Sequence, residues 1–301
     1  MSDVHVVVNS WAGIQRVAAQ PKPAEYFAGR DGYRPAFLGD AAVVELPKFS
    51  DKISPDDIAW LADGTWELKY RHYSAAQCIS RKMPFFSACN IDGSSTKNVP
   101  RHDTWNYDGR IPKEYQMLSQ AYGPQQEGKF SRGHMTRRQD PNWGEFAEAQ
   151  QANIDTFVAT NVCPQWQPFN DGLWGDLEDY ILGNADGDDK RVSVFTGPFF
   201  DTSTERFEVR IPHDFWKVVA FVSERTRELS AIAYRMSQSK YLLTGVAADL
   251  ADFDLAQIPL ELVELRSGLR FASLAGRDVF AGATLETLQP ISRPPDTKLP
   301  G

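Results

Sequence analysis

With 301 residues, 42% hydrophobic content and eight tryptophans, the chain carries enough apolar material for a sizeable core, which excludes a disordered or repeat protein. No apolar run approaches membrane-spanning length, and the N-terminus MSDVHVVVNSWAG has no basic stretch leading into a long apolar segment, so a cytoplasmic protein without a membrane partner is expected. A formal net charge of −8 counts against nucleic acid as a partner, because polyanion binders usually present a basic surface.

Residues 1–60 hold Pro, Gly and Ala without clear periodicity, and the acidic stretch from Ser54 to Ala62 reads as a short capped helix. They form an N-terminal extension of unknown role, ahead of a main domain over 61–285. In TWELKY, Trp66, Leu68 and Tyr70 alternate with Glu67 and Lys69, the period of a half-buried strand. PFFSACNI reads as a second strand, closed by the turn signal Asp92-Gly93. NWGEFAEAQQAN predicts a helix with Asn142 as cap and Glu145 three residues on. TFVATN predicts a strand running to Asn161, and Asn170 to Leu182 predicts one helix with Leu173, Trp174, Leu177 and Ile181 on its buried stripe. Further strands are expected at RVSVFTG, FEVRI, FWKVVAFV and LSAIAYRM, and a late helix in IPLELVELRSGL stops at Gly268. The Pro-rich tail occupies 286–301. Strands and helices without regular βαβ alternation predict an α+β fold with a mixed, largely antiparallel sheet.

The cysteines, Cys78, Cys89 and Cys163, are odd in number and form no CxxC pair, which argues against a disulfide framework and a structural zinc site. Only geometry decides whether Cys78 and Cys89 bridge. The histidines are His5, His72, His102, His134 and His213, and none lies in an HExxH pattern. His134 stands out because Gly133 precedes it and Lys129, Arg132, Arg137 and Arg138 surround it with no acid between them. Those cations would attract a phosphate whose attacking water the imidazole deprotonates, a local field that offsets the overall acidity.

Asn170 and Glu178 admit two readings. Asn170 caps its helix and Glu178 is a solvated helix residue; or the amide oxygen holds Mg²⁺ and the carboxylate accepts hydrogen bonds from the ion's water shell. The acidic loop Asn184-Ala185-Asp186-Gly187-Asp188-Asp189 lacks the Gly and Glu of an EF-hand and reads as a solvated turn. No P-loop, dinucleotide glycine fingerprint or GxSxG elbow is present.

From about Leu68 to Phe271 the chain resembles the DNA/RNA non-specific endonucleases of the ββα-metal superfamily. The resemblance is carried in order by SRKMPFFSACNIDG, SRGHMTRRQDPNWG, DTFVATNVCPQWQPFNDGLWGDLEDYI, VFTGPFF, IPHDFWKVV and LRSGLRF. It implies His134 as general base, Asn170 as direct Mg²⁺ ligand with Mn²⁺ as an alternative ion, and Glu178 as support for the water shell. It also implies Arg132 and Arg81 near the scissile phosphate, and Asn161 at the site, positioning His134 or touching substrate. The implied reaction is hydrolysis of DNA, and of RNA as a further substrate, leaving 5′-phosphate ends; a homodimer is compatible with it.

Two departures bear on this expectation. The family's Asp-Arg-Gly-His is Ser131-Arg132-Gly133-His134 here, and a family arginine after the helical glutamate falls on Leu182, with Arg137 or Arg138 as candidates to compensate. These departures, with the net charge, motivate one alternative, a catalytically impaired relative that binds nucleic acid or a protein partner; the danger of an unsecreted nuclease to its host motivates another, an effector nuclease held silent until an unnamed inhibitor leaves or an activator arrives.

Overall fold

The computed structural model describes residues 21–187, 190–244 and 254–281. Strands β1 (Leu68–Tyr70), β2 (Tyr73–Cys78) and β3 (Met83–Asp92) form an antiparallel meander, as the alternation in TWELKY and the apolar run of PFFSACNI predict. The chain then leaves the sheet for a short strand pair, β4 (Ser131–His134) and β5 (Val162–Gln165), separated by helix α1 (Phe146–Asp155) and followed by helices α2 (Gln167–Asp171) and α3 (Leu173–Gly187). It returns as β6 (Arg191–Pro198), β7 (Asp214–Val222), β8 (Leu229–Ser237) and β9 (Asp254–Ile258). The resulting seven-stranded sheet runs β9-β8-β7-β6-β3-β2-β1, antiparallel throughout, and with the helices makes the fold α+β.

Both faces of this sheet are covered, so its central strands are buried along nearly their whole length and read as continuous apolar runs. On one face Val219, Phe221, Ile232 and Tyr234 pack against Trp174, Leu177 and Ile181 of α3. On the other, Val218, Ala220, Phe195 and Trp216 pack against Tyr33, Phe271 and Leu274. The buried stripe predicted for α3 therefore fixes it on the sheet.

Residues 21–60 lie against this core, with Phe27, Tyr33, Phe37, Val44 and Ile58 buried and Lys48–Phe49 pairing with Leu269–Arg270. Residues 1–20 and the tail 286–301 lie outside the described residues. Between Ser54 and Ala62 only a 3₁₀ turn forms, Pro55–Asp57, capped by Ser54 through the Asp56 N–H. The backbone then turns extended because the Ala59 N–H donates to the Gln77 carbonyl of β2, ending the helix that composition suggested.

Three boundaries in the middle of the chain differ from expectation. Helix α1 starts at Phe146, not at an Asn142 cap, because Trp143 is pinned: its ring stacks on His72 at 3.5 Å and its Nε1 donates to the Asn90 carbonyl. The backbone N–H of Glu145, the residue before the helix, donates to the Glu148 carboxylate. TFVATN is no strand; Ala159–Asn161 form a 3₁₀ turn and the strand begins only at Val162, since the Asn106 backbone brackets Phe157 and Ala159. The helix expected over Asn170 to Leu182 is two helices, broken at Gly172.

Helix α3 also runs on through Gly187, so the expected turn at Asn184 is helical; Asn184 Nδ2 donates to the Tyr180 carbonyl, while Asp188 and Asp189 lie outside the described residues. The strand expected at FEVRI is the second arm of a hairpin, Ser203–Arg206 with Val209–Pro212, turned by Phe207 and Glu208 at positive φ. The late helix forms as predicted, Leu260–Ser267, stopped by Gly268 in the left-handed region at φ 75°. All three cysteines are buried free thiols, so Cys78 and Cys89 do not bridge. Among the described residues no helix is long and apolar enough to cross a membrane.

Candidate active site

The strands β4 and β5 pair antiparallel with Ser131 opposite Gln165, Gly133 opposite Cys163 and His134 opposite Val162, and the chain passes from β5 directly into α2 and α3. This ββα arrangement places residues 131–134 beside α2. Gly133 leaves room here for a buried side chain, because a Cβ on it would lie 1.9 Å from Gln165 Oε1 and the fully buried Gln165 would have to shift. Gly133→Ala is therefore expected to lower stability by about 1–3 kcal/mol through overpacking, read as a fall in thermal midpoint. An unchanged midpoint contradicts this close approach.

His134 is partly exposed as a residue, but its imidazole sits against Trp105 at 5.0 Å and edge-on to Phe157 at 5.1 Å. Its Nε2 is enclosed without a hydrogen-bond partner, which leaves Nδ1 as the nitrogen with access to solvent. We assign the neutral tautomer with its proton on the enclosed Nε2 and the lone pair on Nδ1. Burial, then the charges of Arg101 and Arg138, push the imidazole pKa down to about 3, against a smaller opposing effect of Asp103. The free site thus holds a neutral imidazole, the form that can take a proton.

Asn161 is fully buried and its carboxamide is completely used. Oδ1 accepts from the Thr136 N–H at 2.8 Å, and Nδ2 donates to the carbonyls of Thr136 and Thr156. Its own carbonyl accepts from the Met135 N–H at 2.8 Å. Asn161 therefore clamps the two residues after His134 and has no group left for substrate.

On the helices, Asn170 is half-exposed and its Nδ2 donates to Asp171 Oδ1 at 2.8 Å. That bond fixes the amide orientation and leaves its oxygen as the outward acceptor. Asp171 Oδ2 accepts from Gln167 Nε2, and Gln167 Oε1 accepts from Ser131 Oγ, so a hydrogen-bonded chain joins the start of β4 to Asn170. Glu178, one helix further on, lies 3.3 Å from Lys217 Nζ and 3.8 Å from Arg137 Nε. Arg137 stands three residues after His134. The strand bearing the imidazole is thus tied on one side to α2 through Ser131 and on the other to α3 through Arg137.

The sequence carries the same signature over this region. A family model for DNA/RNA non-specific endonucleases matches residues 62–278. The chain belongs to the DNA/RNA non-specific endonuclease family. An uncharacterised protein of Sinorhizobium fredii is 40% identical over 76% of this chain and 36% of its own length. Mitochondrial endonuclease G of Homo sapiens is 28% identical over 47% of this chain and 48% of its own. The chain thus spans about half or less of these curated relatives. A solved EndoG/EndoGI complex aligns with TM-score 0.51 and 21% identity, covering 68% of this chain and 84% of that one, a likeness that speaks for the fold alone.

Within this family frame the two expected phosphate arginines are placed differently. Arg132 lies beside the site, its guanidinium donating to the Leu118 carbonyl at 2.6 Å and lying over the rings of Trp105 and Tyr122. Arg81 donates to the Phe200 carbonyl at 2.7 Å and lines a separate recess with Gln120, Glu205 and Arg210, so it meets the site only across the segment 117–120 that also receives Arg132. Burial and the neighbouring Arg210 charge lower the Arg81 pKa.

Two groups of site residues were invisible in the sequence. Trp105 and Arg101, some thirty positions before the base, come from a loop without periodicity, and nothing marks them in advance. Lys217 sits on β7 and is 1% exposed. Its signal was present: a lysine in the otherwise apolar run FWKVVAFV needs a buried acceptor, and Glu178 is that acceptor.

Proposed function

We propose that this chain is a divalent-cation-dependent endonuclease that hydrolyses DNA, and RNA as well, with little sequence preference and leaves 5′-phosphate ends. Family membership supports the reaction class, and one observation carries the assignment of residues: an imidazole with an open Nδ1 on a strand tied directly to the helices that bear Asn170 and Glu178.

His134 Nδ1 takes the proton of the attacking water. The imidazolium that forms lies beside Trp105 and Phe157, where burial and the charges of Arg101 and Arg138 disfavour it, so it passes the proton on to solvent. Arg132, Arg101 and Arg138 surround the same pocket and draw in the phosphodiester, and grip on backbone rather than base edges gives weak sequence preference. Asn161 acts by holding residues 135–136 and thereby the imidazole.

The donor set fits a hard, heavily hydrated cation: one neutral amide oxygen set by Asp171, with a carboxylate at Glu178 to receive hydrogen bonds from water. Mg²⁺ or Mn²⁺ bound there supplies charge stabilisation at the phosphoryl and leaving 3′ oxygens. Among the described residues no three His, Cys, Asp or Glu side chains converge on a common point, and an amide-and-water site needs none.

Incubating the purified chain with supercoiled plasmid or folded RNA and Mg²⁺ is expected to nick and then fragment both, with EDTA stopping the reaction. Intact substrates across a range of salt and pH overturn the proposal, and gel-shift binding without turnover would replace it with a binding protein.

A pH profile follows from the lowered His134 pKa. Because kcat/KM reports the free enzyme and the imidazole pKa lies below its ordinary value, the proton-accepting form persists as pH falls. At saturating Mg²⁺, kcat/KM on a short duplex should stay level between pH about 7 and about 5, where an ordinary histidine of pKa about 6.5 would already be largely protonated. A decline centred on the ordinary value contradicts the enclosed, cation-flanked imidazole.

A further inference from the structure

Glu178 is held by two cations that reach it from separate parts of the fold. Lys217 Nζ lies 3.3 Å from Oε1, donates to Thr196 Oγ1 at 2.9 Å and rests over the Trp174 ring at 4.9 Å, so it belongs to the sheet side. Arg137 Nε lies 3.8 Å from Oε2, and its Nη2 reaches Asp179 Oδ1 at 2.5 Å, so it belongs to the loop that follows His134. The third guanidinium nitrogen, Nη1, is enclosed without any acceptor. Against the effect of burial, Glu178, Asp140 and Asp179 nevertheless raise the Arg137 pKa, so the charge is held in place at this position.

Leu182, where the resemblance led one to expect an arginine, packs instead against the apolar cluster beneath α3 and has no charge to offer. Arg138, next to Arg137 in sequence, is turned elsewhere: it donates to the Val99 carbonyl and its charge bears on His134.

We infer that Arg137 is a positioning residue for Glu178, supplying from the loop of the base the guanidinium that the helix lacks, with Lys217 as its counterpart on the other carboxylate oxygen. Held from both sides, the carboxylate has one orientation in which to receive the hydrogen bonds of a cation's water shell. Any displacement of the His134 loop is then transmitted to the helix that carries Glu178. The inference rests on the metal-assisted reading above and adds to it how the two halves of the site are kept in register.

The test compares Arg137→Met, Arg137→Lys and Glu178→Gln, alone and with Arg137→Met combined with Glu178→Gln, after thermal unfolding has established that each is folded. Mn²⁺ binding is followed by calorimetry without nucleic acid, and cleavage of a short duplex is followed separately. Arg137→Met should weaken Mn²⁺ binding and lower kcat, each roughly 10–100-fold as for other residues that orient a metal site, with KM for the duplex unchanged. Arg137→Lys should recover part of both, and in the Glu178→Gln background Arg137→Met should add little.

A raised KM with Mn²⁺ affinity and kcat intact would overturn the inference and make Arg137 a substrate contact. Effects that multiply in the double variant would also overturn it. If Glu178→Gln alone changes neither Mn²⁺ affinity nor cleavage, the metal-assisted reading itself falls, a result distinguishable from loss of the pairing only.

Discussion

His134→Ala is expected to lower the cleavage rate by roughly 10²–10⁴-fold, the range associated with loss of a general base. The fold should survive it, because the imidazole makes no hydrogen bond whose loss would strand a partner; Nε2 is enclosed and unpaired, and contacts with Trp105 and Phe157 are all that is forfeited. Binding of DNA in EDTA should be nearly unchanged, since the cations about the pocket, Arg101, Arg132 and Arg138, remain. Plasmid nicking, fluorescence anisotropy and thermal unfolding on one preparation give all three quantities. A variant that still cuts at wild-type rate would remove the imidazole from the chemistry, and one that fails to fold would show that it is an element of packing.

Asn170→Ala is expected to act as strongly and by a different route. The amide oxygen is the neutral donor left outward once Nδ2 is committed to Asp171, and the residue is half-exposed, so its truncation should cost the fold little. If that oxygen is the direct ligand of the cation, losing several kcal/mol of charge stabilisation lowers kcat by roughly 10³-fold. Raising Mn²⁺ should recover part of the activity of Asn170→Ala and none of that of His134→Ala. Equal insensitivity of both variants to metal would mean that Asn170 is a helix-end residue and no more.

The sheet was legible because its strands obey simple rules: alternation in TWELKY, long apolar runs in β3, β6, β7 and β8, and a glycine stop at Gly268. Errors collected around the site, where tertiary demands override local pattern. Asn161 sits in what reads as a strand, yet its carboxamide is spent on Thr136 and Thr156, and the backbone kinks to allow it. The helix expected over Asn170 to Leu182 is broken at Gly172, which separates Asn170 from the helix that bears Glu178.

The paired departures acquire a physical sense only in three dimensions. Ser131 has lost a carboxylate, but its hydroxyl reaches Gln167 and through it Asp171, so a negative charge stands beside Asn170 from α2 instead of from β4. Arg137 reaches α3 from a loop some forty residues away in sequence, a distance over which no local pattern can signal a partner. Motif order therefore singled out His134 and Asn170 as candidates, while the residues that contact them and their neighbours became visible only in three dimensions.

The central claim is that His134 and an Asn170-held cation share one cleft, and paramagnetic broadening by Mn²⁺ tests it most directly. Of the five histidines, the imidazole resonance of His134 is identified by its absence in His134→Ala, and Mn²⁺ is then titrated into the wild-type chain. Selective broadening of that resonance, reversed by EDTA and lost in Asn170→Ala, is the predicted result. A His134 signal that stays sharp at saturating Mn²⁺, or one that broadens equally without Asn170, would contradict it.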